Sequence, residues 1–298
     1  MVEHVIDASN LRKTYDGVEA LRGLDLEVPA GSISALVGCN GAGKTTLIKI
    51  LMGMTRPASG SARIFGRDAT SARESVEIRR RIGFASEEHE LYDAMSVDEM
   101  LRFTAPFFPR WRSDLQQRYL RKFELPLQRK VKALSRGMRT KLALLLALSR
   151  GADLLILDEP TAGLDPAIAE EVLQALVSHV SSEELTVFFS SNQIAEVEQV
   201  ADRVSLIHRG RAAVAGAIDD LRERYCRIQL VFDDVAPDVT FRAPGVARMH
   251  RHGRVLEVLS SNGSAALLDE VRALNPRATE VRPVSLKEIF LECVAVEE

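Results

Sequence analysis

The segment from Gly38 to Thr45 carries the clearest chemical signal in this sequence. It reads Gly-Cys-Asn-Gly-Ala-Gly-Lys-Thr and matches the phosphate-binding pattern G-x-x-x-x-G-K-[ST] at every fixed position. Glycines let the backbone turn its N–H groups toward an anion, Lys44 can reach the β- and γ-phosphates, and the Thr45 hydroxyl can ligate Mg²⁺. The pattern therefore predicts a nucleotide site that contains Gly38, Asn40, Gly41, Ala42, Gly43, Lys44, Thr45 and Thr46.

Two adjacent carboxylates at the end of an apolar run form the second chemical feature. The run 154–157 reads Leu-Leu-Ile-Leu, which is typical of a strand buried on both faces of a parallel sheet, and Asp158 and Glu159 follow it directly. The carboxyl ends of such strands are where α/β sheets bind ligands. In that position we expect Asp158 to hold Mg²⁺ through water and Glu159 to polarise the water that attacks the γ-phosphate.

These residues need a sheet to position them, and the sequence pattern predicts one. The N-terminal stretch indicates short strands with turns, and the β-like run 32–37 leads into the glycine-rich segment. Capping boxes at Ser71 and Ser96 predict helix starts, with a helical region from the second box to about residue 150. The alternation that follows predicts an open, mainly parallel sheet with helices on both sides; its strands are 154–157, 186–190 and 204–208, and its helices are 45–52, 168–180 and 194–201.

From about residue 222 the pattern changes to a small α+β appendage. Its predicted strands are 227–232, 246–250, 255–259 and 279–282, and its predicted helices are 265–274 and a last helix that begins after Ser285. We therefore expect two domains, 1–220 and 221–298, with a helical subdomain at about 90–150 inserted into the first.

The bulk composition is that of an ordinary globular protein, with 298 residues, 46% apolar residues and a formal net charge of −3. No apolar run approaches the roughly 20 residues that cross a bilayer, and the N-terminus shows no secretory pattern. Three scattered cysteines favour a reducing cytoplasm over a disulfide framework. Residues 102–141 hold twelve basic side chains against two acidic ones, which is compatible with a solvated face, phosphate, an anionic lipid surface or nucleic acid.

Taken in order, the motifs between about Leu11 and Gly216 resemble the ATP-binding cassette of ABC transporters. Residues 158–161 and 163–166 look like the family's Walker B segment and D-loop, and Tyr15 has the spacing of its adenine-stacking aromatic residue. Residues 134–138, Leu-Ser-Arg-Gly-Met, stand where the LSGGQ signature belongs. The resemblance implies a P-loop NTPase (RecA-like) core with an inserted helical subdomain, and ATP and Mg²⁺ as cofactors.

The same resemblance implies a head-to-tail pair of cassettes. Each ATP is then held by Lys44 of one subunit and by Ser135 and Gly137 of the other, with Asp165 of the D-loop among the nucleotide-binding residues. Closure depends on the γ-phosphate, because the signature helix points its N-terminus at it. Hydrolysis is then the event that opens the pair.

Three segments depart from the family pattern. The signature has Arg136 and Met138 in place of its first glycine and its glutamine, and Glu87 stands where the Q-loop usually has glutamine. A carboxylate at position 87 can still approach Mg²⁺, but it adds negative charge near the γ-phosphate. Asn192 occupies the place of the switch histidine, and His208 falls on the next predicted strand.

The change at position 192 bears on the rate of hydrolysis. Loss of a preorganised donor to the transition state commonly costs ~10²–10³-fold in rate. We therefore expect ATP binding and closure to persist while hydrolysis is slow, unless Asn192 performs the histidine's task.

The resemblance is to bacterial exporter cassettes of the bacitracin-resistance, drug and lipid types. It implies an ATPase at the cytoplasmic face of the membrane, paired with a permease on a separate chain and with a second cassette, identical or related. Residues 107–111, Phe-Phe-Pro-Arg-Trp, are the predicted docking element for the permease.

The first alternative is a soluble cassette protein that acts on nucleic acid or ribosomes. Such proteins usually have a second cassette or a long coiled coil, so we expect no nucleic-acid partner. The second alternative is a regulatory module that dimerises on ATP but scarcely hydrolyses it.

Overall fold

The computed structural model describes residues 4–88, 91–183, 185–243, 245–261 and 265–295. The chain forms two compact units, one up to Ala215 and the other from Gly216. The strands that begin in the first unit are β1 His4–Tyr15, β2 Val18–Pro29, β3 Ile33–Val37, β4 Ser59–Ile64, β5 Arg67–Asp68, β6 Ile82–Ala85, β7 Leu154–Asp158, β8 Thr186–Ser191, β9 Arg203–His208 and β10 Arg211–Ala217. Its helices are α1 Lys44–Leu51, α2 Ala72–Arg80, α3 Val97–Thr104, α4 Ser113–Lys122, α5 Arg136–Leu148, α6 Pro166–Glu183 and α7 Ile194–Val200.

The larger sheet of the first unit has the strand order β10-β9-β3-β8-β7-β6. Its pairs β9–β3, β3–β8, β8–β7 and β7–β6 are parallel, as the sequence predicts. Every residue of β3, β7 and β8 is buried, which explains why these strands read as continuous apolar runs. Because these strands are parallel, their carboxyl ends meet at one edge, where the glycine-rich loop, the paired acids and Asn192 follow β3, β7 and β8.

A second, antiparallel sheet has the order β2-β1-β4-β5. The prediction of short strands near the N-terminus was wrong, because β1 and β2 each extend over 12 residues. They are joined by Asp16 and Gly17, both with positive φ, as in the tight turns that suit a twisted hairpin. Asn10, which favours turns, lies instead at an irregularity within β1, with φ of 47°.

The region from Ser96 to about residue 150 is not continuously helical, contrary to prediction. Helices α3, α4 and α5 are separated by the stretches 105–112 and 123–135, which include short 3₁₀ helices at Ala105–Phe107 and Val131–Ala133. Pro106, Pro109 and Pro126 lie in these stretches, where a proline removes a backbone donor and restricts the residue before it. Among the described residues, no helix combines the length and apolar character that a bilayer crossing requires.

Of the two predicted capping boxes, the one at Ser96 is complete. The Glu99 N–H donates to Ser96 Oγ at 3.1 Å, and the Ser96 N–H donates to Glu99 Oε2 at 2.6 Å. At Ser71 only half of the box forms: the Glu74 N–H donates to the Ser71 hydroxyl, but the Glu74 carboxylate accepts from the Asp68 N–H instead.

The second unit is a separate α+β structure. It contains α8 Ile218–Arg224, β11 Cys226–Val231, β12 Val246–His252, β13 Val255–Ser260, α9 Ala265–Ala273, β14 Ala278–Pro283 and α10 Leu286–Ala295. The sheet order is β12-β13-β11-β14, with antiparallel neighbours throughout. Its own core includes Ile228, Leu230, Val258, Leu267 and Val271, so one face of the sheet packs against α9.

Candidate nucleotide site

A cavity of 430 Å³ opens at the carboxyl edge of the larger sheet. It brings together residues from four segments that the sequence analysis treated separately. Its lining is Ala20, Asn40, Gly41, Gly43, Lys44, Thr45, Thr46, Glu87, Glu159, Ala162 and Asn192. The predicted residues Tyr15, Gly38, Ala42, Ser135, Gly137, Asp158 and Asp165 are outside this lining.

The glycine-rich loop owes its shape to positions that exclude side chains. Gly43 has φ of 110°, and a Cβ there would lie 2.6 Å from the Ala20 carbonyl oxygen. A Cβ on Gly38 would lie 2.7 Å from Ile207 Cγ2, so Gly38 packs against the sheet behind the loop. Gly41 has φ of 80° with open space beside it. The loop thus needs glycine for backbone conformation at two positions and for close packing at two.

Lys44 is buried and fully hydrogen-bonded within its own chain. Its Nζ donates to the carbonyl oxygens of Gly38 at 2.6 Å and Cys39 at 3.2 Å, and lies 3.1 Å from Glu159 Oε1. The Lys44 and Glu159 side chains are only 6% and 9% exposed. A buried charge requires such compensation. Binding of a phosphate at Lys44 therefore requires that at least one of these three contacts be exchanged.

Hydrogen bonds to the backbone and to the side chain of Glu159 fix its position. Its φ is 51°, in the left-handed region that non-glycine residues rarely adopt, and its N–H donates to Ser190 Oγ at 3.0 Å. Its Oε2 accepts from the Asn192 N–H at 3.2 Å. The carboxylate is thus fixed between Lys44 and the start of the segment that carries Asn192.

Ser190 is a site residue that the sequence analysis missed. Its hydroxyl is fully buried, donates to Asp158 Oδ1 at 2.6 Å and accepts from the Glu159 N–H, so it orients the Asp158 carboxylate and fixes the backbone of Glu159. Ser190 lies directly beside Asp158 in the parallel register of β7 and β8. The sequence signal that could have predicted this role is a serine at the carboxyl end of the next buried strand.

The predicted Mg²⁺ ligands line a neighbouring cavity of 220 Å³. Its lining includes the predicted ligands Thr45, Glu87 and Asp158, together with the carboxylate of Glu88 and the cation of Lys49. Mg²⁺ prefers oxygen ligands, keeps several waters, and is typically bound through one or two carboxylates plus substrate phosphates. In the described part of the chain, no three His, Cys, Asp or Glu side chains cluster closely enough to hold a metal by themselves. The donor set fits a metal that arrives with a nucleotide.

Asn192 lines the cavity, and its side-chain amide lies 3.5 Å from Asn40 Oδ1. One turn further along, Glu196 accepts a 2.5 Å hydrogen bond from the buried Thr161 hydroxyl, a contact that the sequence analysis did not predict. Burial raises the pKa of Glu196, the nearby Glu159 charge adds to the rise, and the Thr161 hydrogen bond opposes it. This bond ties the switch helix α7 to the loop that follows the paired acids.

Within the signature segment, Ser135 and Arg136 are exposed whereas Leu134 and Gly137 are buried, and none of its residues lines the cavity. Ser135 is the exposed N-cap of α5, and its Oγ accepts from the Met138 N–H at 3.2 Å, which leaves the O–H to donate elsewhere. Gly137 is buried, and a Cβ there would lie 2.8 Å from Ile168 Cδ1. Asp165, which precedes α6, accepts from the Ile168 and Ala169 N–H groups through its carbonyl oxygen. Gly137 thus has a packing role within its own chain.

Two further predictions concern aromatic residues. Tyr15 is 43% exposed at the end of β1, with Lys13 Nζ 4.8 Å from its ring centroid, and it does not line the cavity. Of the rings in the predicted docking element 107–111, only Phe107 is exposed, while Phe108 and Trp111 are half-buried; docking of this element to a permease stays a prediction. Phe107 joins Phe103 and Tyr92 in an edge-to-face cluster, with centroid distances of 5.4 and 5.2 Å. These three rings, 66%, 41% and 56% exposed, form an aromatic patch.

Comparison with known proteins gives consistent matches. A family model described as ABC transporter matches residues 21–162. The bacitracin transport ATP-binding protein BcrA of Bacillus licheniformis is 31% identical over 278 residues, covering 87% of this chain and 90% of that protein. The daunorubicin resistance ATP-binding protein DrrA3 of Streptomyces coeruleorubidus is 31% identical over 310 residues, covering 98% and 96%. The solved structure of cbiO1 from Clostridium perfringens, part of the transporter complex cbiONQ, matches with a TM-score of 0.63 at 26% identity, covering 72% of this chain and 89% of that one.

Proposed function

This chain belongs to the ATP-binding subunits of ABC transporters, and from that premise we propose that it drives export through a permease on a separate chain by ATP-dependent pairing of cassettes. One observation carries the proposal: Lys44, Glu159 and Asn192 converge on one cavity, beside the oxygen donors of Thr45, Asp158 and Glu87. Export is supported by relatives whose names refer to bacitracin transport and daunorubicin resistance. Such a subunit works at the cytoplasmic face of the membrane.

The chain's own groups account for ATP binding and hydrolysis. The N–H groups of the glycine-rich loop and the start of α1 bind the phosphates, and Lys44 exchanges Glu159 for a phosphate oxygen. Thr45, Asp158 and Glu87 would hold Mg²⁺, which would supply positive charge to the phosphates. Once Lys44 has turned to the phosphate, the Glu159 carboxylate is free to accept a proton from the attacking water. Asn192 donates toward the γ-phosphate.

The exposed position of Ser135 in the signature segment supports pairing of two cassettes. Ser135 is exposed and retains a donor proton, so it is available to the γ-phosphate of a nucleotide held by a second cassette, identical or related. Two-fold pairing then uses the same patch on both partners. Loss of the γ-phosphate removes this contact and allows the pair to open.

The experiment is nucleotide-dependent dimerisation of the Glu159→Gln variant, in which the water-activating carboxylate is gone. Multi-angle light scattering with MgATP is expected to report a mass twice that of the 32.9 kDa chain, and without nucleotide a monomer. A Lys44→Ala change in the same background is the control, and it is expected to remain monomeric because the phosphate loses its buried cation. A monomer at saturating MgATP would contradict the proposal.

A second candidate is favoured by Asn192 alone. With asparagine at the switch position, the chain pairs on ATP but hydrolyses it slowly, as a regulatory subunit does. Both candidates require dimerisation and differ in the rate of phosphate release, which the Asn192 variants described in the Discussion measure.

A further inference from the structure

Arg136 connects three loops of the cassette. It is the first residue of α5, directly after Ser135, and its Nη2 lies 3.9 Å from Glu87 Oε1. Its guanidinium also lies over Gly163, where a Cβ would come within 2.6 Å of Arg136 Cζ. Gly163 has φ of 66°. The signature segment, the Q-loop segment and the D-loop therefore meet at one side chain.

The helix itself does not stabilise a cation at this position. The N-terminus of a helix carries partial positive charge, so an arginine in its first turn is unfavourable unless an anion lies nearby. The first turn of α5 contains no acidic residue. The anion that accompanies Arg136 in the described structure is Glu87, from a different segment.

Among the carboxylates that the structure describes, Glu87 is the one within ion-pair distance of Arg136, although Glu88 lines the same cleft. A cleft of 450 Å³ is lined by Glu87, Glu88, Arg136 and Arg139. Arg139 is committed to Asp93, with a hydrogen bond of 2.7 Å. Glu87 in turn borders the cavity that receives phosphates, where a bare carboxylate would repel the polyanion.

We infer that Arg136 is a positioning residue for Glu87. Without metal, Arg136 neutralises the Glu87 carboxylate and lowers its repulsion of the phosphates. When Glu87 turns to the metal, it leaves Arg136 beside Ser135 and Gly163, on the two loops offered to the second cassette. The metal state of one cavity is thereby transmitted to the pairing surface of the same chain. This inference rests on the proposed function.

The test is the metal dependence of ATP affinity, measured calorimetrically on the full chain with Glu159→Gln. Each variant is titrated with ATP plus Mg²⁺ and with ATP plus EDTA, and the ratio of the two dissociation constants is compared. Arg136→Gly is expected to raise the ratio of the EDTA value to the Mg²⁺ value about threefold, as for an exposed ion pair. The reason is that bare Glu87 repels metal-free ATP and is freer to approach Mg²⁺.

Three further variants isolate the pair. Arg136→Lys keeps the charge and is expected to keep the ratio near the parent value. Lys132→Ala removes an exposed cation from the same segment and is the matched control, with no expected change. In a Glu87→Gln background, Arg136→Gly is expected to have no effect, since the carboxylate that it positions is absent.

An unchanged ratio in Arg136→Gly, or an equal change with and without Glu87, overturns the role of Arg136. Either result, with MgATP binding intact, leaves the proposed function standing. A parent chain that binds no ATP under either condition overturns the proposed function as well.

Discussion

Asn192 lines the nucleotide cavity, and its backbone N–H donates to Glu159 while its side chain lies near Asn40. An asparagine amide is shorter than an imidazole and never charged, so it stabilises transition-state charge less well. We predict that Asn192→His raises the steady-state rate of phosphate release by up to about 10²-fold. The dissociation constant for MgATP is expected to change little, since the buried Lys44 dominates phosphate binding.

The control for this prediction is Asn192→Ala. If the amide contributes a donor, the alanine variant hydrolyses ATP more slowly than the parent does. Equal rates for the parent and the histidine variant would show that Asn192 already performs the histidine's task, and the regulatory candidate would then lose its support.

The residues that line the cavity were largely predictable, because local patterns encode them. Lys44 and Glu159 belong to short motifs whose spacing survives any detail of packing. Ser190 and the pair of Thr161 and Glu196 were not predicted, because their roles depend on which strand lies beside which and on how α7 packs. Those are long-range contacts between residues that are more than 30 positions apart in the chain.

Helix α3 offers a prediction at the scale of one element. Its capping box joins Ser96 and Glu99, and the Ser96 N–H, together with Lys130, lowers the pKa of Glu99 to about 2. Ser96→Ala is expected to lower the free energy of unfolding by about 1 kcal/mol, the usual cost of losing an N-cap. Urea unfolding at pH 7 measures this, with Ser113→Ala, at the start of α4, as a control that removes no side-chain cap.

The pH dependence of Glu99 follows from the direction of its shift. Since its pKa in the folded chain is below the ordinary 4.5, its stabilisation is complete above pH 4.5 and is lost as the pH falls toward 2. The parent is therefore expected to be more stable than Glu99→Gln at pH 7 and to lose that advantage in this window. A difference that stays constant between pH 7 and pH 2 would contradict this account.

The same region shows where sequence patterns mislead about elements. The predicted helical region up to about residue 150 includes α5, but the pattern does not reveal that prolines interrupt this region on the N-terminal side of α5. Conversely, Ser9 favours turns yet pairs with Ser61 of β4, whereas Asn10 keeps a turn-like φ of 47° at an irregularity within β1. Elements held by tertiary contacts are thus the ones that local patterns misplace.

At the scale of the whole molecule, the sequence correctly predicted the P-loop fold and the ABC family, because the order of several motifs is more specific than any one of them. The similarity to DrrA3 extends over nearly the entire chain, and so includes the second unit. Each unit has its own hydrophobic core. The partner surfaces are less accessible to sequence patterns, since the adjacent rings Phe107 and Phe108 differ in exposure although both belong to the same aromatic segment.

The aromatic patch of Tyr92, Phe103 and Phe107 gives the last prediction, which concerns assembly with a permease. Exposed rings in mutual contact offer apolar area that a partner can bury, and burying one phenylalanine contributes about 1.5–3 kcal/mol. Phe107→Asp is therefore expected to reduce co-purification of a membrane-spanning chain from detergent-solubilised membranes at least about tenfold.

Two controls show whether this loss is specific to permease docking. ATP-dependent dimerisation of Phe107→Asp in the Glu159→Gln background is expected to persist, because Phe107 is outside the nucleotide cavity. Val76→Asp, which places a charge at a 42% exposed apolar position on α2, is the matched control and is expected to retain the partner. Undiminished recovery with Phe107→Asp, or equal loss in both variants, would show that the permease docks elsewhere on the chain.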